Sequence, residues 1–368
     1  MESCELIART VMLSTGLGLI LGLAGIVSPV NGNAADMGQS QNKAAGENPE
    51  YHVALGSAME DYPYPFEVQY LPLTIEGQDV RMAYMDVAPE TGQASATVVL
   101  LHGKNFYGSY FENTARMLSK AGYRVVIPDQ VGFGKSSKPD IHYSFDLVAT
   151  NTVTLLDKLG VQKFDVVGHS MGGMVAARVA LNFPERVTNL VFENPIGLED
   201  YRFKVPPLST EHVYQNELAT TDPAKIRAFL KRYVVDWKPD VFERFVEVRS
   251  RVALGGEYPR WAMAAALTYQ MIYQQPVVHE FPNIKARTLV VIGQEDRTTL
   301  GRGFVAPEVL ATLGNYPELG KATARAIPDA RLVPLAGVGH IPHLEIPEKY
   351  HAILLDFLNG KTVGEPVK

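Results

Sequence analysis

The sequence predicts an α/β fold, a mostly parallel sheet flanked by helices, with a helical cap inserted late in the chain. Three observations lead there. Short Val/Ile/Leu runs alternate with helical patterns between residues 97 and 192, and apolar runs without polar alternation belong to strands buried on both faces. The alternation stops over 195–283 and resumes at Thr288. Between those points the spacing is helical with no strand pattern, so the segment reads as a cap inserted between two strands of one sheet.

Taken in order, residues 11–27 are apolar and Gly/Leu-rich, Ser28 and Pro29 break the run, and small residues follow at Gly32, Ala34 and Ala35. Residues 1–34 are therefore expected to be a secretory signal peptide that exports the protein to the periplasm or the outside, although Glu2 and Glu5 replace the usual positive start. A retained membrane anchor is the alternative; once the leader is removed, no stable membrane association is expected. Cys4, the sole cysteine, falls inside the leader, so the mature chain would lack a thiol for disulfide, nucleophile or metal. Residues 35–65 are polar with little periodicity, a linker or surface arm.

The core is expected over 66–194 and 284–368, with the cap at 195–283. Runs at 67–75 and 79–86 around Glu76-Gly77-Gln78 predict an antiparallel hairpin at the edge. Strands follow at 97–101, 123–128, 163–167 and 187–192, with helices at 110–121, 145–159 and 171–183 between them. Helical spacing in the cap covers 223–235, 240–254 and 261–273. Strands at 288–292 and 331–335 and a helix at 347–358 complete the pattern.

With 46% hydrophobic and 20% charged residues over 368 positions, the composition is that of a globular enzyme with a large core. A net charge of −6 without a Lys/Arg cluster speaks against nucleic acid as a partner.

Ser170 stands in Gly168-His169-Ser170-Met171-Gly172, after a predicted strand and before a predicted helix. A sharp turn there forces the serine into a strained backbone conformation, and only small residues fit two positions to either side. A serine hydroxyl attacks poorly until a base takes its proton, and the base needs a third group to orient it. His340, in Gly337-Val338-Gly339-His340, lies between the last strand and the last helix, at the sheet edge where Ser170 opens; His343 reads as structural. Asp296 follows the 288–292 strand in Gly293-Gln294-Glu295-Asp296-Arg297. Glu295 competes for its role, and Glu193, ending the 187–192 strand, is a further rival. Two backbone amides should serve an oxyanion: Met171 at the start of a helix, and Lys104 in His102-Gly103-Lys104-Asn105.

With these motifs the chain resembles the α/β-hydrolase superfamily, in particular its cap-bearing branch of esterases, proline iminopeptidases, carbon–carbon bond hydrolases and epoxide hydrolases. The likeness runs from His102 to the final helix and takes in Asp129-Gln130-Val131-Gly132-Phe133-Gly134-Lys135-Ser136. It implies the chain order nucleophile, acid, histidine, which Ser170, Asp296 and His340 obey. Serine where epoxide hydrolases and haloalkane dehalogenases carry aspartate disfavours those two activities. The resemblance implies an acyl-enzyme route on a small-molecule acyl substrate, without cofactor or metal.

A carboxylic ester or related acyl compound is the first expectation. An iminopeptidase, a carbon–carbon bond hydrolase and a non-catalytic binding protein of the same fold are the alternatives. The cap is rich in aromatics and methionine, including Tyr201, Phe203, Phe242, Trp261, Tyr269 and Tyr273, most of them expected to pack its interior.

Overall fold

The computed structural model describes residues 51–367; the expected leader, Cys4 and the first part of the expected arm lie outside the described residues. The strands are β1 (Val68–Ile75), β2 (Gln78–Val87), β3 (Thr97–Leu101), β4 (Arg124–Pro128), β5 (Phe164–His169), β6 (Val187–Glu193), β7 (Arg287–Gly293) and β8 (Ala330–Leu335). They form one eight-stranded sheet in the order β1-β2-β4-β3-β5-β6-β7-β8. β1 pairs antiparallel with β2, as does β2 with β4, and the remaining neighbours are parallel. Every residue of β3 and β5 is buried, whereas the edge strand β1 is mostly exposed or half-buried. That contrast is what continuous apolar runs and an edge hairpin require.

The helices are α1 (Glu112–Lys120), α2 (Phe145–Lys158), α3 (Met171–Asn182), α4 (Thr210–Leu218), α5 (Pro223–Lys231), α6 (Pro239–Ala253), α7 (Tyr258–Gln274), α8 (Pro307–Leu310), α9 (Tyr316–Ala326), α10 (Pro342–Glu345) and α11 (Pro347–Leu358). One face of the sheet packs against α2, α3 and α9, and the other against α1 and α11. From β4 the chain returns to the far side of β3 to lay down β5. Such a reversal leaves a crevice at the carboxyl ends of the strands on either side of it. The loops after β3 and β5, which carry Lys104 and Ser170, meet there.

Helices α4 to α7 lie between β6 and β7. Ser144, Ser209 and Asp222 cap α2, α4 and α5 through their side-chain oxygens, each satisfying an amide that the helix leaves free. Besides the one-turn helices α8 and α10, two longer helices left no sequence pattern. α4 buries none of its residues, so it shows no apolar stripe. In α9 the buried face is Tyr316, Gly320, Thr323 and Ala324, small residues that let the helix approach β7 closely; a β-carbon on Gly320 would lie 2.7 Å from Ile292 Cγ1. The helix expected from residue 110 opens with a 3-10 turn, Gly108–Phe111, before α1.

Residues 51–65 run along the cap and the loop after β4. The Leu55 amide donates to the Arg251 carbonyl at 2.9 Å, Ser57 Oγ donates to Glu257 at 2.8 Å, and Lys135 Nζ donates to the Met59 carbonyl at 2.6 Å. Among the described residues no helix is long and apolar enough to cross a membrane.

Candidate active site

β5 ends at His169 and α3 begins at Met171, so Ser170 alone turns the chain. Its backbone sits at φ 57°, ψ −122°, a conformation that costs about 1–3 kcal/mol and persists only where the surroundings impose it. Here the Ser170 amide donates to the Glu193 carbonyl at 3.2 Å, and its carbonyl accepts from Gly173 at 2.9 Å and Ile196 at 3.2 Å. The flanking glycines face backbone. A β-carbon on Gly168 would meet the Gly172 carbonyl oxygen at 2.3 Å, and one on Gly172 would meet that of Leu101 at 2.0 Å.

The loop after β3 is held from the side. His102 donates from Nδ1 to the Gly103 carbonyl at 2.9 Å and accepts the Gln130 amide on Nε2 at 3.0 Å. Those partners fix one neutral tautomer, and burial lowers the imidazole's pKa in the same sense. The Asp129 carboxylate accepts from the Gly108 amide at 2.6 Å, Tyr64 Oη at 2.7 Å and the Lys135 amide at 2.8 Å, tying the loops after β3 and β4 together. Gly103 lies over the serine: a β-carbon there would stand 3.0 Å from Ser170 Cβ and 3.4 Å from Oγ. The loop backbone that continues into Lys104 thus flanks one side of Ser170, and Met171, at the positive end of α3, flanks the other.

His340 and Asp296 meet directly. His340 Nδ1 donates to Asp296 Oδ2 at 2.6 Å, and both residues are buried. Asp296 Oδ2 also accepts from Asn194 Nδ2 at 2.9 Å, and Oδ1 accepts from the Thr298 amide at 2.8 Å. Burial by itself would raise the Asp296 pKa; the His340 charge and the hydrogen bonds from His340, Thr298 and Asn194 outweigh it and hold the pKa below the ordinary carboxylate value. With Nδ1–H committed to the carboxylate, a neutral His340 presents Nε2 as a proton acceptor. Its amide donates to the Tyr233 carbonyl at 2.6 Å, and the Tyr233 ring stacks on the imidazole with centroids 5.0 Å apart. Glu345 accepts the Gly339, Ile341 and Val235 amides, so the His340 turn is clamped to the cap.

The rival acids are placed elsewhere. Glu193 Oε1 accepts from His343 Nδ1 at 2.8 Å and from the His343 amide at 2.9 Å. Burial pushes its pKa up, but the His343 charge and hydrogen bonds prevail and pull it down to about 2. Glu295 is exposed to solvent. The carboxylate in contact with His340 is that of Asp296.

Ser170 makes no direct hydrogen bond to His340 among the described residues; it adjoins the His340 loop through its neighbour. His169 Nε2 donates to the His340 carbonyl at 2.8 Å, its Nδ1 accepts from Tyr110 Oη at 2.8 Å, and Tyr110 Oη accepts the Gly103 amide at 2.9 Å. One hydrogen-bonded chain therefore joins the loop over Ser170 to the loop of His340. Burial, then the adjacent His340 charge, pull the His169 pKa down to about 3, which suits a neutral bridge. Hydroxyl-to-imidazole contacts of this kind often close only when substrate binds.

Asn194, His169, Tyr110, Tyr233 and Glu345 were not singled out from the sequence. Only Asn194 carries a local signal: it adopts φ 40° immediately after a strand, and asparagine tolerates that region better than most residues. Of the cap aromatics, Tyr201, Phe242, Tyr269 and Tyr273 are buried in packing and Phe203 is exposed. Among the described residues no group of three or more His, Cys, Asp or Glu side chains is placed to hold a metal ion.

The family model for the alpha/beta hydrolase fold matches residues 96–347. The chain is 29% identical over 296 residues to the 2-hydroxy-6-oxononadienedioate/2-hydroxy-6-oxononatrienedioate hydrolase of Burkholderia vietnamiensis, covering 79% of this chain and 95% of that one. It is 26% identical over 278 residues to the 2-hydroxy-6-oxo-6-phenylhexa-2,4-dienoate hydrolase of Comamonas testosteroni, covering 74% and 90%. A solved structure from Pseudomonas aeruginosa PAO1, described as a "probable hydrolytic enzyme", superposes with a TM-score of 0.81 at 43% identity, covering 83% of this chain and 98% of that one.

Proposed function

The chain belongs to the α/β-hydrolase family, and from that premise we propose that it is a serine hydrolase of carboxylic esters or related acyl compounds working through an acyl-enzyme. Ser170 is the nucleophile. His340 takes its proton through Nε2 and returns it to the leaving group, and Asp296 holds the imidazole tautomer and stabilises the imidazolium. The amides of Lys104 and Met171 receive the oxyanion, which places two donors where negative charge develops. A water activated by the same histidine then releases the acid. The observation that carries this reading is the buried Asp296–His340 pair, 2.6 Å apart, in a loop joined through His169 to the strained Ser170 turn. The test is hydrolysis of short p-nitrophenyl esters by Ser170→Ala beside labelling with an organophosphonate. Wild-type activity in the variant, or label on another residue, would overturn it.

A second reading is carbon–carbon bond hydrolysis, favoured by the two relatives named as hydrolases of 2-hydroxy-6-oxo dienoates. Assaying one such compound beside the esters separates the two, because the better substrate is the one with the higher kcat/KM. We also propose export through the apolar segment at 11–27; mass spectrometry of the mature protein reads whether residues 1–34 are removed.

A further inference from the structure

Lys104 follows the glycine that lies over Ser170, and its side chain does not pack away into the core. It lines a cavity between the core loops and cap helices α4, α6 and α7, whose other walls include Phe106, Phe133, Glu217, Arg249 and Trp261. The free space is about 40 Å³, against the roughly 10–15 Å³ needed for one water, so a carboxylate-sized group fits.

The charges around this space do not balance. Glu217 Oε1 pairs with Arg249 at 2.6 Å, which leaves Lys104 as a further cation with no hydrogen bond or ion pair among the described residues. Two cations and one anion in an aromatic-walled cavity amount to one uncompensated positive charge, and a charge held away from bulk water without a partner costs free energy that a bound counter-ion restores. Burial pulls the Lys104 amine down to about 8, with Glu217 opposing and Arg249 reinforcing the shift; at neutral pH it is still largely protonated.

We propose that Lys104 and Arg249 form a subsite for a carboxylate carried by the acyl substrate, so that this hydrolase prefers acyl compounds with a second, anionic end. This rests on Ser170 being the nucleophile. A single uncompensated charge and a small space match a monoanionic carboxylate better than a phosphate dianion. Because Lys104 adjoins Gly103, whose added β-carbon would stand 3.4 Å from Ser170 Oγ, the anionic end of such a substrate would be held one residue along the chain from the glycine that lies over Ser170.

The experiment has two arms. In the first, kcat/KM is measured for mono-4-nitrophenyl glutarate and for the neutral 4-nitrophenyl pentanoate, using the wild-type chain, Lys104→Met and Lys104→Arg. The wild type should prefer the anionic ester. Lys104→Met should cut that preference by about ten- to a hundredfold, the worth of a charged hydrogen bond, and Lys104→Arg should keep most of it. In the second arm, monomethyl glutarate is titrated calorimetrically into Ser170→Ala and into Ser170→Ala/Lys104→Met. Saturable binding lost in the double variant, with both proteins showing the same thermal unfolding profile, supports the subsite. Equal binding by the two, or no binding together with no anionic preference, overturns it. If no ester is hydrolysed yet binding depends on Lys104, the ester reading of the site fails and the subsite stands.

Discussion

Asp296 Oδ2 and His340 Nδ1 lie 2.6 Å apart with both residues buried, and this contact separates Asp296 from its rival at the neighbouring strand end. Asparagine at position 296 would fit the space but could turn an amide N–H toward Nδ1, favouring the wrong imidazole tautomer. Asp296→Asn is expected to lower kcat about 10⁴-fold, the size of the same change in a Ser-His-Asp triad, and also to cost about 3–5 kcal/mol of stability, because a buried ion pair is broken. Initial rates on a p-nitrophenyl ester check this, and a loss below tenfold would count against the assignment.

In kcat Glu193 should behave in the opposite way, because its carboxylate meets His343 and not His340. Glu193→Gln breaks a buried pair and is expected to cost about 3–5 kcal/mol of stability while kcat stays near wild type. The pH dependence has a definite sign. The folded carboxylate titrates at about 2 against 4.5 ordinarily, so the stabilisation is complete above pH 4.5 and is lost as pH falls toward 2. Urea unfolding across that window should show a shallower acid limb in Glu193→Gln than in the wild type.

Why these two acids could not be separated in the sequence is a matter of topology. β6 and β7 are parallel neighbours, so both carboxylates emerge at the same sheet edge, and spacing along the chain carries no information about which one the His340 loop approaches. The strands themselves were legible because burial on both faces writes unbroken Val/Ile/Leu runs, and Ser170 and His340 were legible because glycines mark their turns. The supporting contacts were not. Tyr233 reaches His340 from the cap across a long stretch of chain, and His169 gave no sign of bridging two loops, since its partners are the Tyr110 hydroxyl and a backbone carbonyl.

Asn194 bridges the end of β7 and the Asp296 carboxylate, accepting from the Gly293 amide at 2.9 Å while donating to Asp296. Asn194→Ala removes both bonds and leaves an alanine at φ 40°. A stability loss of about 1–3 kcal/mol is expected, together with a lower kcat as Asp296 loses one of its supports. Asn194→Asp should be worse, setting a second carboxylate against the first. Chemical denaturation and ester kinetics on the two variants give the ranking; equal values for alanine and aspartate would show that charge at this position is unimportant.

Gly172 tests the backbone architecture under Ser170 rather than its chemistry. A β-carbon there would stand 2.0 Å from the Leu101 carbonyl oxygen, and neither α3 nor β3 can yield without moving the Ser170 turn or the loop carrying Lys104. Overpacking costs typically about 1–3 kcal/mol, more where backbone must shift, so Gly172→Ala should be markedly less stable. Any folded fraction should also react slowly with an organophosphonate, because the turn that presents Ser170 is displaced. Gly256→Ala is the control, with nothing within 4 Å of the added carbon, and it should match the wild type in both thermal unfolding and labelling rate. Similar behaviour of the two variants would mean that the glycine two residues after Ser170 is not required by packing.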